Sequence, residues 1–301
     1  MNKLINNIKS VYDKGENIIS YLKSQDGRKE NSLEDIMISY DLQAGTYLDM
    51  YYKNEKGNNP RVEKRAKIIS EYLEKDFKIM EAGVGEATNM VPILKRILNS
   101  PKDCSKIYGF DISWSRIKYA EKLITEEIPE YPIELFVGDL KNMPLKDNSI
   151  DLIYTIHAIE PNGGAEEEIL KELYRVTSKY LILFEPAYEL ADEESRRRMV
   201  EHGYVTRLYE TALRLGYEVK KYELLENNIN LKNPTGVMII EKKGQRMIEG
   251  EPLCDPISKS DIKMTSTEAW CEETMLVYPI LKGIPMLTAE HGIFATKWEE
   301  F

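Results

Sequence analysis

The 301-residue sequence is poor in cysteine and histidine, with three of each. Cys104, Cys254 and Cys271 are too few and too scattered for a disulfide framework, so reduced thiols are expected. No apolar run reaches the length that crosses a bilayer. The N-terminal MNKLINNIKSVYDKGENIISYLK lacks the basic start and unbroken apolar block of a secretory signal, so a cytoplasmic location without membrane association is expected. Internal repeats and low-complexity tracts are missing too. Positive charge is in deficit: 41 Lys and Arg stand against 51 Asp and Glu, a net charge of −10. That balance argues against a general affinity for nucleic-acid backbones, which is built on Lys and Arg at phosphates, and favours a small-molecule partner. Two local basic runs, RVEKRAKII from Arg61 and ESRRRM from Glu194, read as solvated helix faces.

What is present is order. The first sixty residues carry helical periodicity in INNIKSVYDKGENIISYLK and LEDIMISYDLQAGTYLDMYYK, with GRKENS as the turn between them. KNEKGNNP reads as an exposed loop, and the helix RVEKRAKIISEYLEK opens the main domain. From Phe77 onward, FKIMEAG, KIYGFDI, IELFVGD, IDLIYTI and KYLILFEP read as strands. NMVPILKRILNS, SRIKYAEKLITEE, EEEILKELYRVTS and RLYETALRLG read as the helices between or after them. Such alternation favours a parallel sheet covered by helices on both faces, because a parallel crossover usually spends its residues on a helix. YEVKKYELLE and TGVMIIEKKG follow without an evident helix and are expected to pair antiparallel at one edge, for seven strands in all. A break is expected at GQRMIEGEPLCDP. The expected division is a helical lid over 1–59, the main domain over 60–245 and a small unit over 246–301.

The stretch KIMEAGVGEATNM ends the first strand with Glu81, Ala82, Gly83, Val84 and Gly85. Two glycines let the backbone turn sharply and approach a ligand with no Cβ in the way. A dinucleotide fingerprint needs a third glycine three positions later, which is missing, and Glu81 would repel a diphosphate over the turn. A cationic ligand fits better. Here the sequence resembles the class I S-adenosylmethionine-dependent methyltransferases, whose first motif is acid, any residue, Gly, any residue, Gly. Ala87 stands where many members have a further glycine. IYGFDIS places Asp111 where the family's acid accepts from the ribose hydroxyls, with Ile112 against the adenine. FVGDL places Asp139 to accept from the adenine amine and Leu140 to offer a backbone N–H to the ring. MPLKDNSIDLIYTIHAIE looks like the family's fourth-strand region. The resemblance covers about residues 60–245 and implies a Rossmann-like fold, S-adenosylmethionine as cofactor and methyl transfer as the activity. Without that pattern, Asp111 would read as a helix cap before Ser113, and Asp139 as a turn residue.

Methyl transfer is an in-line displacement that needs orientation and desolvation, and a base only when the nucleophile carries a proton to lose. His157, just past the fourth strand, is the first candidate for base or substrate ligand and Glu160 the second; both could equally serve to hold the loop. Glu185 in LFEPAYE is a further polar group expected at the same crevice, or a turn residue before Pro186. Tyr40 and Tyr47, seven apart, are expected on one helix face of the lid, with Tyr47 as a cofactor contact. RRRMVEHGYV falls where the family inserts substrate-specific elements, so Arg196, Arg197, Arg198, His202 and Tyr204 are candidates to meet an anionic substrate.

The tail, with YPILKGIPML as its most specific phrase, looks like the small zinc-ribbon-like unit that activates certain tRNA and protein methyltransferases. Cys254 and Cys271 each lack the second cysteine of a pair, Thr274 standing where one would be. Two thiolates do not close a tetrahedral zinc site, so a metal-free unit is expected, packing on the main domain or helping a homodimer form. The favoured reading is transfer to a small acceptor such as a sugar, a lipid-linked intermediate or a secondary metabolite. The alternatives are a tRNA or protein methyltransferase, against which Ile159-Glu160-Pro161-Asn162 counts in place of an Asn-Pro-Pro-Tyr-type motif, and a non-catalytic cofactor-binding regulator.

Overall fold

The computed structural model describes residues 2–28, 30–57, 59–98, 103–225, 233–243 and 250–300. Four helices come first: α1 (Asn2–Asp13), α2 (Ile18–Asp26), α3 (Leu33–Leu42) and α4 (Thr46–Lys53). Then follow α5 (Pro60–Tyr72), β1 (Phe77–Ala82), α6 (Met90–Ile97), β2 (Cys104–Asp111), α7 (Trp114–Glu127), β3 (Ile133–Val137) and β4 (Ile150–Ile156). The main domain ends with α8 (Glu166–Val176), β5 (Thr177–Phe184), α9 (Glu193–His202), α10 (Leu208–Arg214), β6 (Glu218–Leu224) and β7 (Gly236–Glu241).

The seven strands form one sheet in the order β3-β2-β1-β4-β5-β7-β6. The first five run parallel, and β7 lies antiparallel between β5 and β6. Adjacent residues of the central strands feed opposite cores. Ile79, Leu152, Ile182 and Ile239 pack under α5, α6 and α7, while Met80, Ile153, Leu181 and Ile240 pack under α8 and α10. β4 is buried along its whole length, as a strand covered on both faces must be. The expected α/β architecture with an antiparallel pair at one edge is what forms.

The N-terminal expectation needs one correction. Each of the two long periodic segments is a pair of helices, split at Gly15 and at Gly45, both at positive φ. Asn17 restarts the first pair by accepting from Ser20 N at 2.8 Å. Tyr40 and Tyr47 therefore lie on different helices, α3 and α4. Residues of α1 and α2 make a small core of their own, Ile8, Val11, Ile18 and Leu22, against Ile38 and Leu42. Helices α2, α3 and α4 lie across the carboxyl ends of the strands, and α3 is tied down by Asp41, which accepts from Ser113 Oγ at 2.7 Å and Ser115 Oγ at 2.9 Å.

The C-terminal residues form a second sheet from β8 (Lys263–Met264), β9 (Glu268–Cys271), β10 (Leu276–Leu281), β11 (Ile284–Pro285) and β12 (Ile293–Phe294). It covers the β3 edge of the main sheet: Leu287 N donates to Val137 O at 2.9 Å, and Leu253, Tyr278 and Leu287 join the main core. Covering an edge removes a row of unpaired backbone groups. Residues 244–249, half of the expected break, lie outside the described residues. Among the described residues no group of three or more His, Cys, Asp or Glu is placed to hold a metal, so the zinc-ribbon resemblance gains no support from a metal centre. The buried Asp255 organises the region instead, accepting from Tyr278 Oη at 2.6 Å, Ser258 Oγ at 2.9 Å and Thr274 Oγ1 at 3.3 Å. Cys254 is buried beside it, and burial pushes its thiol up to about 12. No described helix is long and apolar enough to cross a membrane.

Candidate functional site

A cavity of about 610 Å³ opens at the carboxyl ends of β1 to β4, under the N-terminal helices. That size is within the usual range for a small-molecule site. Its floor is the turn after β1. Gly83 sits at φ +75°, and a Cβ there would stand 2.3 Å from the Ala158 Cβ, too close for a small backbone shift to relieve. Gly85 sits at φ +56°, with the Arg116 guanidinium where its Cβ would be. Ala87, also at positive φ, holds the left-handed conformation that a glycine would adopt without strain.

Glu81 lines the cavity and is buried to 1% exposure. Burial pushes its carboxyl up to about 8, against the pull of the Tyr154 hydroxyl and the Arg65 guanidinium. Its Oε2 has no hydrogen-bond partner. Asp111 Oδ2 accepts from Gly85 N at 3.0 Å, and Oδ1 accepts from Ser113 N at 3.0 Å. The bland reading of Asp111 is thus also true: it braces the glycine turn and the entry to α7 while facing the cavity. Asp139 accepts from Lys141 N at 3.0 Å, and burial raises its carboxyl above the usual range. Ile112, Leu140 and Tyr47 also line the cavity. Ala82 does not; its side chain is fully buried in the core beneath.

At the other end His157 holds φ +54°, uncommon for a residue with a Cβ. Its Nδ1 pairs with Glu160 Oε2, and its Nε2 lies 2.9 Å from Thr235 Oγ1. Asn233 Nδ2 donates to Glu160 Oε1 at 3.0 Å. Tyr204 lines the same end, its hydroxyl pushed up to about 12 by burial and by Glu160. Glu185 is not among the lining groups. Its carboxylate accepts from the backbone of Ala158 (3.0 Å), Ile159 (3.2 Å) and Glu160 (3.1 Å), so it holds the loop that carries His157. Burial raises it to about 7.

The arginine expectation divides. His202 and Tyr204 line the cavity, but Arg196 is spent on the carbonyls of Tyr188 (3.0 Å) and Glu189 (2.8 Å), and Arg197 and Arg198 are not in the wall. The basic run read as a solvated face does reach it: Arg61 and Arg65 both line the cavity, and Arg65 is 6% exposed. Arg116 lies 5.1 Å from the Tyr40 ring and 4.8 Å from the Tyr47 ring. Glu86 accepts from Gly45 N at 3.0 Å and Leu48 N at 2.6 Å, fixing α4 to the glycine turn. Nothing in the sequence singled out Glu86, Asn233 or Thr235. Arg61 and Arg65 carried a faint signal, two arginines four residues apart on one helix face.

Residues 80–183 match the family model described as a methyltransferase domain. The chain is 24% identical over 151 residues to a carboxy-S-adenosyl-L-methionine synthase of Shewanella pealeana, covering 49% of this chain and 60% of the relative. It is 24% identical over 193 residues to an ajmaline N-methyltransferase of Rauvolfia serpentina, covering 63% of this chain and 60% of the relative. The chain thus spans about three-fifths of the length of these curated relatives. Among solved structures, magnesium protoporphyrin IX methyltransferase from Synechocystis PCC 6803, with bound SAH, aligns with a TM-score of 0.50 at 13% identity. That alignment covers 68% of this chain and 99% of that one. At that identity the likeness concerns the fold alone, the seven-stranded, mostly parallel sheet with helices on both faces described above.

Proposed function

We propose that the protein is an S-adenosylmethionine-dependent methyltransferase acting on a small-molecule acceptor. The observation that supports this most is the convergence of Glu81, Gly83, Gly85, Asp111 and Asp139 on one wall of a single cavity. The residues fit the cofactor on two counts. A buried carboxylate oxygen without a partner beside a bare glycine turn suits an ammonium and repels a phosphate. Two further acids, spaced along the same wall, are acceptors without donors of their own, as hydroxyl and amine donors require.

When bound, S-adenosylmethionine supplies an electrophilic methyl on a sulfonium. Glu81 accepts from the cofactor's ammonium, Asp111 from its ribose hydroxyls and Asp139 from its adenine amine. Leu140 offers a backbone N–H, and Ile112 and Tyr47 give apolar surface. The N-terminal helices exclude water. Glu160 holds the Nδ1–H tautomer of His157, which leaves Nε2 as an acceptor now satisfied by Thr235. An acceptor hydroxyl or ammonium that displaces Thr235 gives its proton to that Nε2. The ajmaline N-methyltransferase among the relatives is in keeping with a small acceptor.

Calorimetry of the full chain with S-adenosylhomocysteine tests the reading. Micromolar, one-to-one binding is expected, and no heat at millimolar ligand refutes it.

A further inference from the structure

We propose that Arg61 and Arg65, one helical turn apart on α5, form an oxyanion subsite in the cavity wall that receives a carboxylate or phosphate group of the acceptor. The inference rests on the methyltransferase reading and goes further by naming the acceptor's charge. Arg65 is 6% exposed and makes no ion pair with a carboxylate among the described residues; its guanidinium carbon lies 5.9 Å from the centre of the Phe184 ring. Its Nη1 donates to Asn89 Oδ1 at 3.1 Å, and its Nε is buried with no partner. The half-buried Arg61 guanidinium likewise has no ion-pair or hydrogen-bond partner among the described residues. A buried charge is ordinarily paired, so an unpaired one at a cavity wall marks a place where the partner arrives with a ligand.

The two guanidiniums also oppose each other. Arg65 is pushed down to about 10, first by burial and then by the nearby positive charge of Arg61, with only partial relief from Glu81 and Glu185. A planar, multidentate oxyanion is the ligand chemistry that relieves both, since a guanidinium fork matches carboxylate or phosphate oxygens two at a time. The cofactor brings one carboxylate, which suffices for one fork. A second cation in the same wall leaves a place for an anion that the cofactor does not supply.

The test uses the full chain saturated with S-adenosylhomocysteine and titrated with malonate and with inorganic phosphate. Wild type is expected to bind at least one of them, and Arg61→Gln to weaken that binding tenfold or more while S-adenosylhomocysteine affinity stays within threefold. Arg61→Lys should fall between, which separates loss of charge from loss of folding. Absence of anion binding to the saturated wild type overturns the proposal while leaving the cofactor reading intact. A parallel loss of S-adenosylhomocysteine affinity in Arg61→Gln overturns it too, because the pair then serves the cofactor's own carboxylate. Failure of S-adenosylhomocysteine to bind wild type sinks both.

Discussion

Two walls face each other across the cavity, and they are built in different ways. The wall of β1, β2 and β3 is made from strand ends within a span of about sixty residues, and two of its acids, Asp111 and Asp139, are braced by backbone N–H groups of the turns after β1, β2 and β3. The opposite wall gathers Tyr47 from α4, Arg61 and Arg65 from α5, His157 and Glu160 from the β4 loop, and Asn233 and Thr235 ahead of β7. In it the side chains of His157, Glu160, Asn233 and Thr235 hold one another. A wall braced by backbone tolerates little change in the loop but much in distant elements, whereas a wall of side-chain contacts depends on every element that contributes.

The sharpest test of this contrast is turnover against binding. Replacing His157 with Ala should lower methyl transfer from labelled cofactor into a small-molecule extract by about 10²–10⁴-fold, the usual worth of a general base. Its S-adenosylhomocysteine affinity should stay within about threefold, because the first wall is untouched. Equal losses in both would merge the two walls into one unit.

Glu81→Gln acts on the other side. A charge-assisted hydrogen bond is worth about 1.5–3 kcal/mol, so S-adenosylhomocysteine affinity should drop roughly 10- to 150-fold by calorimetry. The unliganded variant should nonetheless melt higher than wild type at pH 8, since the buried carboxyl it removes is one that burial disfavours in its charged form. A lower melting temperature at that pH would show Glu81 to be a structural acid.

The sign of the pH dependence follows from the same group. With a folded value near 8 against an ordinary value of 4.5, Glu81 keeps a proton in the unliganded fold that the unfolded chain has already lost. Its contribution to stability therefore falls as pH rises from about 5 towards 8. Cofactor binding wants the ionised form, so S-adenosylhomocysteine affinity should rise about tenfold from pH 6.5 to 8, with proton release seen as a buffer-dependent heat. Glu81→Gln should flatten both trends.

The smallest effect belongs to the N-terminal helices. Asp41→Ala removes the acceptor that ties α3 to Ser113 and Ser115. Each such bond is worth about 1 kcal/mol, so affinity should weaken only a few-fold while limited proteolysis within residues 1–53 speeds up.

Legibility in the sequence divides along the same line. Glu81, Gly83, Gly85, Asp111 and Asp139 lie at or just past the ends of the first three strands, so the expected βαβ order together with the family resemblance implied that they meet. Arg65 gave only a charge on a helix, and Thr235 a polar residue before a strand. Their meeting depends on contacts between positions far apart in the chain, which no local pattern encodes. The helix breaks at Gly15 and Gly45 escape a periodicity argument because apolar spacing runs through both, and the break is decided by one backbone angle in each case. Glu185 lies at the expected corner of the fold but braces the loop rather than facing the crevice. Which of the two a carboxylate does, opening onto a cavity or turning to three backbone N–H groups, is settled by the loop packed on it.

The most direct measurement is a crystal structure of the full chain with S-adenosylhomocysteine. The account predicts the ligand's ammonium on Glu81, its ribose hydroxyls on Asp111 and its adenine amine on Asp139. A ligand lying elsewhere, or one reversed along that wall, would contradict it.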